Sequence, residues 1–182
     1  MIWTILGIVV VLTIGIILIF NQLVQARQLV ENGWSDITVQ LKRRSDLIPR
    51  LVDVVKGYAK HERELFVEVI EKRNAALSAG DDPKSRGQAE GDLVQPTNRL
   101  FALAEAYPDL KASDNFLDLQ NELSDTEDKI EMARRFYNGA VRQLNTKVES
   151  VPSNFVSKPF GFRQRDYFEI VEADYAVPDV TL

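Results

Sequence analysis

Residues 34–62, WSDITVQLKRRSDLIPRLVDVVKGYAKHE, join a membrane-length apolar segment to a long amphipathic pattern, and their reading decides the fold. Trp34, Ile37 and Leu41 recur every three or four residues, and the stripe resumes at Ile48, Leu51, Val52, Val55 and Tyr58, the spacing of one buried helix face. Three adjacent cations, Lys42, Arg43 and Arg44, interrupt it, followed by Ser45 and Asp46. Pro49 lacks the N–H that would bond the Ser45 carbonyl and its ring crowds that turn, so the helix is expected either to kink or to restart with Ser45 as a cap. In both cases the axis changes direction near Ser45.

Upstream, residues 2–20 are nineteen consecutive uncharged, mostly aliphatic residues. As a helix they extend about 28 Å, enough to cross a hydrocarbon core of about 30 Å. A secretory signal is the competing reading. It calls for a positive n-region and a shorter apolar run, although Val24 and Ala26 imitate a cleavage site. The anchor reading is the better fit. Arg27 and then residues 42–44 follow the span and no cation precedes it, so the positive-inside bias predicts a single-pass cell-membrane protein with its N-terminus outside and its bulk cytoplasmic.

Downstream, the stripe continues through Phe66, Val69 and Ile70 to a helix end near Ala79, with Asp46 to Arg50 and Glu68 to Lys72 spaced as supporting pairs. Residues 80–92, GDDPKSRGQAEGD, read as a polar loop. A shorter helix is predicted over about 97–107, stopped by Pro108. Ser113 then offers a cap to the longest helix, 114–150, whose seam runs through Phe116, Leu119, Leu123, Ile130, Ala133, Tyr137, Val141, Leu144 and Val148. After Pro152 the periodicity gives way to Phe155, Phe160, Phe162, Tyr167, Phe168 and Tyr175, a tail expected to strap in part onto the helices. The predicted fold is all-α: a transmembrane anchor over 1–21, an elongated antiparallel bundle of three to four long helices over 22–162, and an aromatic C-terminal tail over 163–182.

Composition narrows function mainly by exclusion. A net charge of −5 argues against duplex DNA as a partner, and the absence of cysteine removes disulfides, thiolate zinc sites and cysteine nucleophiles. The sole histidine, His61, has Leu65 where a zinc-protease helix needs its second histidine and Tyr58 where a di-iron motif needs glutamate, so it reads as a surface residue. The glycines of 80–91 lack the Gly-Lys-Ser/Thr ending of a phosphate loop. The 27 carboxylates fall at helix-surface spacings beside basic partners, the pattern of a solvated face. No catalytic, metal or cofactor site is therefore expected. The candidate interaction surface comprises Lys42, Arg43, Arg44, Arg134 and Arg135, for protein partners or for anionic lipid. On a straight helix Lys42 would lie about 33 Å beyond Phe20, several Debye lengths at cellular salt, which favours pairing within the fold or a protein contact. Gln40, Asn138 and Asn145 fall on or beside the apolar seams, where buried amides can fix helix register.

WSDI at Trp34, VQLKRRSDLIP running on to Val52, VKGYAKHE ending at Glu62, EAYPDLKAS over 105–113, NFLDLQNELSDTEDKI, RFYNGAV and the late Gly161-Phe162 occur in an order that resembles the LemA family, small bacterial proteins with an N-terminal anchor and a helical domain. The sequence departs from that pattern at Ser45, Arg50, Pro96, Leu144 and Val151. The resemblance implies a long antiparallel bundle, single-pass anchoring and no established enzymatic activity. Members often appear alongside membrane proteins such as peptidases, so it also implies a scaffold or adaptor at the membrane. A lipid-surface or membrane-shaping protein is the alternative.

Overall fold

The computed structural model describes residues 1–170, so Tyr175 and the end of the tail lie outside the described residues. Among the described residues six helices follow in order: α1 (Ile2–Tyr58), α2 (Arg63–Ser78), α3 (Pro83–Glu105), α4 (Pro108–Lys111), α5 (Asp114–Glu149) and α6 (Asn154–Ser157). Among the described residues there is no strand, and several helices pack as a bundle. The described residues divide into two compact units, one of Met1–Ile37 with Ala133–Tyr167 and one of Thr38–Met132 with residues 168–170.

The first unit contains the apolar start of α1. That stretch carries no packing of its own, and α1 is the one helix among the described residues long and apolar enough to cross a membrane. Cover begins at its last turn. Leu23, Val156 and Phe162 are buried together, with Ile19, Phe20, Val24 and Val148 packed against them. Further along, α1 meets α5 closely at Gly33, where a Cβ would lie 3.0 Å from the Phe136 ring and 3.1 Å from the Tyr137 backbone. The Trp34 and Tyr137 rings stand 5.4 Å apart beside this contact. The tail is fastened by polar side chains of α5: Tyr137 Oη donates to the Asp166 carbonyl at 2.8 Å. The Asn145 amide donates to the Arg165 carbonyl at 2.9 Å and accepts the Arg165 N–H at 2.8 Å. Asn145 thus fixes the tail rather than the register of two helices.

The second unit holds the main core, which joins Leu47, Ile48, Leu51, Val52 and Val55 of α1 to Phe66 and Val69 of α2, Leu93 and Leu100 of α3, Leu110 of α4, and Phe116 and Leu123 of α5. Antiparallel order of α2 and α3 is written in their ion pairs, Glu68 with Arg99 and Lys72 with Asp92, since partner numbers fall along α3 as they rise along α2. These pairs replace the expected Glu68–Lys72 pair within α2. Asp46 likewise pairs with Lys42, not Arg50.

Three sequence expectations are corrected here. First, of the two alternatives at Pro49 the restart is excluded: α1 is one helix through Pro49, and no new helix starts at Ser45. The carbonyl that Pro49 leaves without its helical donor is that of Ser45, and Arg73 Nε of α2 donates to it at 2.9 Å. Second, the stripe does not run unbroken: α1 ends at Tyr58, residues 59–62 interrupt it, and Phe66, Val69 and Ile70 belong to a separate helix, α2, which ends at Ser78 beside the expected Ala79. Third, most of 80–92 is helix. Asp82 caps α3 by accepting the Ser85 N–H at 2.9 Å and its hydroxyl at 2.7 Å, and Pro83 occupies the first helical turn, where a missing N–H costs nothing. Gly87 is in this helix because a Cβ there would stand 2.0 Å from the Glu169 carbonyl oxygen. The tail segment, with Phe168 fully buried, passes directly over it.

Candidate functional site

The basic triplet lies on consecutive positions of α1, and a helix turns each by roughly 100°, so the three cations meet three environments. Lys42 is exposed and donates to both Asp46 oxygens at 2.8 and 3.0 Å. This hydrogen bond from Lys42, with further help from Lys42, Arg73 and Arg50 charges, holds the Asp46 carboxyl below its ordinary pKa. Arg43 is exposed. Arg44 is buried, with 4% of its surface accessible, so it is withdrawn from any interaction surface.

Arg44 instead centres an ion cluster in which Arg44, Arg86 and Glu90 are buried and Glu127 closes the exposed end. One terminal nitrogen donates to both Glu127 oxygens, at 2.8 and 3.1 Å, and the other donates to Glu90 Oε2. The second Glu90 oxygen accepts from Arg86 Nε at 3.2 Å, one turn earlier on α3. Two guanidiniums face two carboxylates, so the cluster is neutral as a whole, and Glu90 is fully enclosed at 0% exposure. Burial by itself would lower the Arg44 pKa, but Glu127 and then Glu90 outweigh it and raise the value. Such a cluster ties α1, α3 and α5 together. Its chemistry is structural, since both oxygens of Glu90 are committed to guanidinium donors.

On the solvent side of the same stretch, Val39, Lys42, Arg43, Asp46, Leu47, Arg50 and Glu122 line an open groove of about 330 Å³. Here the cations that remain exposed, Lys42 and Arg43, are joined by Arg50, which was not among the expected surface residues. Arg134 and Arg135 belong to the other unit, half-buried and exposed respectively. The structure therefore gathers Lys42 and Arg43 on one groove and does not add the buried Arg44 to it. His61 is exposed in the linker between α1 and α2. Among the described residues no three His, Cys, Asp or Glu side chains are grouped as a metal site would require.

Sequence reasoning missed Arg86 and Glu90. Their spacing of four residues is that of a helical ion pair, but it was masked by the reading of 80–92 as loop. Glu127, whose partner is distant in sequence, gave no local signal.

Fold and site together define a class: an all-helical protein whose first helix carries a membrane-length apolar start and then enters a packed bundle held by a buried arginine–glutamate cluster. Residues 33–182 match the model of the LemA family, and the chain belongs to that family. It is 27% identical over 169 residues to Protein LemA of Metamycoplasma hominis, covering 90% of this chain and 77% of that one. It is 23% identical over 175 residues to Magnetosome protein MamQ 2 of Paramagnetospirillum magneticum, covering 82% of this chain and 64% of the relative. The MamQ magnetosome protein of Magnetospirillum gryphiswaldense is also 23% identical, over 159 residues, with 74% and 58% covered. The chain thus spans less than two thirds of the length of these magnetosome relatives.

Proposed function

We propose that the protein is a membrane-anchored scaffold or adaptor, held by residues 2–20 and presenting its helical bundle to protein partners on the cytoplasmic side. The observation that carries this reading is the continuity of α1: one helix, Ile2–Tyr58, includes both the exposed apolar stretch and Ile48, Leu51 and Val55 of the bundle core. The cations that follow the span support the cytoplasmic orientation. Two relatives are named for a cellular body, the magnetosome, which fits a protein fixed in place.

The reading includes action by binding and not by catalysis. Its support is that Glu90, Glu127, Asp46 and Asp82 are each engaged by cations or helix N–H groups. The groove beside Lys42, Arg43 and Arg50 is the proposed contact surface, and a membrane peptidase is the first partner class to test. Photo-crosslinking from position 43 in native membranes tests it. One protein should be captured reproducibly, and Arg50→Glu should abolish that capture while leaving the protein folded. Capture of diffuse background, unchanged by Arg50→Glu, would contradict the adaptor reading.

A further inference from the structure

We propose that residues 151–163 form a second membrane contact, a foot that docks into the headgroup region of the bilayer that holds residues 2–20. This rests on the anchor reading above and adds a surface that the anchor does not require.

The first observation is depth. A helix over residues 2–20 extends about 28 Å against a hydrocarbon core of about 30 Å, so Phe20 stands at the boundary between acyl chains and headgroups. The Phe160 and Phe162 rings meet the Phe20 ring edge-on, at 5.1 and 5.7 Å between centroids. Val156 and Phe162 are buried with Leu23, one turn beyond Phe20. The segment is therefore bolted to α1 at the level where the helix leaves the hydrocarbon.

The second observation is what the segment leaves outside. Val156 and Phe162 face inward, whereas Val151 and Phe155 are each 72% exposed and Phe160 is 58% exposed. Large apolar groups held at this depth and turned outward meet lipid, not bulk water. Aromatic rings are favoured at that boundary because they tolerate its mixed polarity.

The third observation is charge. The chain as a whole carries −5, yet residues 150–165 contain Lys158, Arg163 and Arg165 and no Asp or Glu. Lys158 and Arg163 are exposed. Arg27, on the first turns beyond the apolar run, lies over the Phe162 ring at 5.5 Å. Cations beside outward aromatics match an anionic headgroup layer, with apolar faces inserted and charges at the phosphates. The lipid-facing cations are those of the foot.

The chain has no cysteine, so single-cysteine variants of the full protein can carry a nitroxide at one chosen position. Labels would be placed at Phe155→Cys and Phe160→Cys, with Ile8→Cys in the apolar run and exposed Val67→Cys in the second unit as references. The protein is reconstituted in vesicles of phosphatidylethanolamine and phosphatidylglycerol, and label collisions with oxygen and with a water-soluble nickel chelate are measured. At 155 and 160 the chelate's collisions should fall on the order of tenfold below those at 67, with oxygen collisions retained, as for a group seated at the acyl boundary. Chelate access at 155 equal to that at 67, with position 8 shielded, would overturn the foot and leave the anchor standing. Loss of both oxygen and chelate collisions at 155 and 160 would indicate cover by protein, a second copy included, and would also overturn it. Chelate access at position 8 would overturn the anchor and the foot together.

Discussion

At position 49 a proline is tolerated inside a helix because a neighbour supplies what the backbone cannot. The Ser45 carbonyl receives Arg73 Nε in place of the absent N–H, which makes Arg73 conditional on Pro49. Arg73→Met should therefore destabilise the protein by about 1–3 kcal/mol in urea unfolding, the cost of an unsatisfied buried carbonyl. The same change in a Pro49→Ala background should cost clearly less, since alanine restores the helical donor, and equal costs in both backgrounds would show that the two residues are not coupled. The buried cluster makes a sharper demand. Removing one partner leaves a charge enclosed and unpaired, so Glu90→Ala should cost about 3–5 kcal/mol, more than truncating an exposed pair such as Lys72 with Asp92. Unfolding curves of Glu90→Ala and Asp92→Ala compare them directly. None of this was visible locally. Three consecutive cations look alike in the sequence, and Arg44 is singled out only by Glu90 and Glu127, 46 and 83 residues away.

Among the elements, α5 was the most legible, predicted over 114–150 and found over Asp114–Glu149, because its apolar seam is regular and prolines bound it. α3 was the least legible. Its signals were present, a capping Asp82 before Pro83 and Ser85, but Gly87 and Gly91 weighed toward a loop. The reason for Gly87 is non-local: the backbone at Glu169 occupies the place of its Cβ. Gly87→Ala should thus expel the tail segment, at a cost of about 1–3 kcal/mol as for other overpacked contacts, with Phe168 becoming accessible. Hydrogen exchange at residues 168–170 checks this, and unchanged protection there would refute it. The cap has a pH signature. The Ser85 backbone and side-chain bonds depress the Asp82 pKa. A depressed carboxyl stabilises the fold above its unfolded pKa and loses that contribution as pH falls through the lower folded value. Exchange of the Ser85 amide in Asp82→Ala should accordingly exceed that of the natural protein at neutral pH, with the gap narrowing in acid.

For the whole molecule, the all-helical fold and the family were legible because the apolar run and the helical periods are written along the chain. The partners of its side chains are not, and the site depended on them. The groove of Lys42, Arg43 and Arg50 emerged only once Arg44 was seen to turn inward. Membrane anchoring with a cytoplasmic bundle is the claim on which adaptor and foot both depend. Its most direct test is labelling of single-cysteine variants in intact and lysed cells with a membrane-impermeant maleimide, at Ile2→Cys on the outer end of the span and Val67→Cys in the bundle. Position 2 should be labelled in intact cells, and position 67 should be labelled only after lysis. Labelling of position 67 in intact cells would contradict the account.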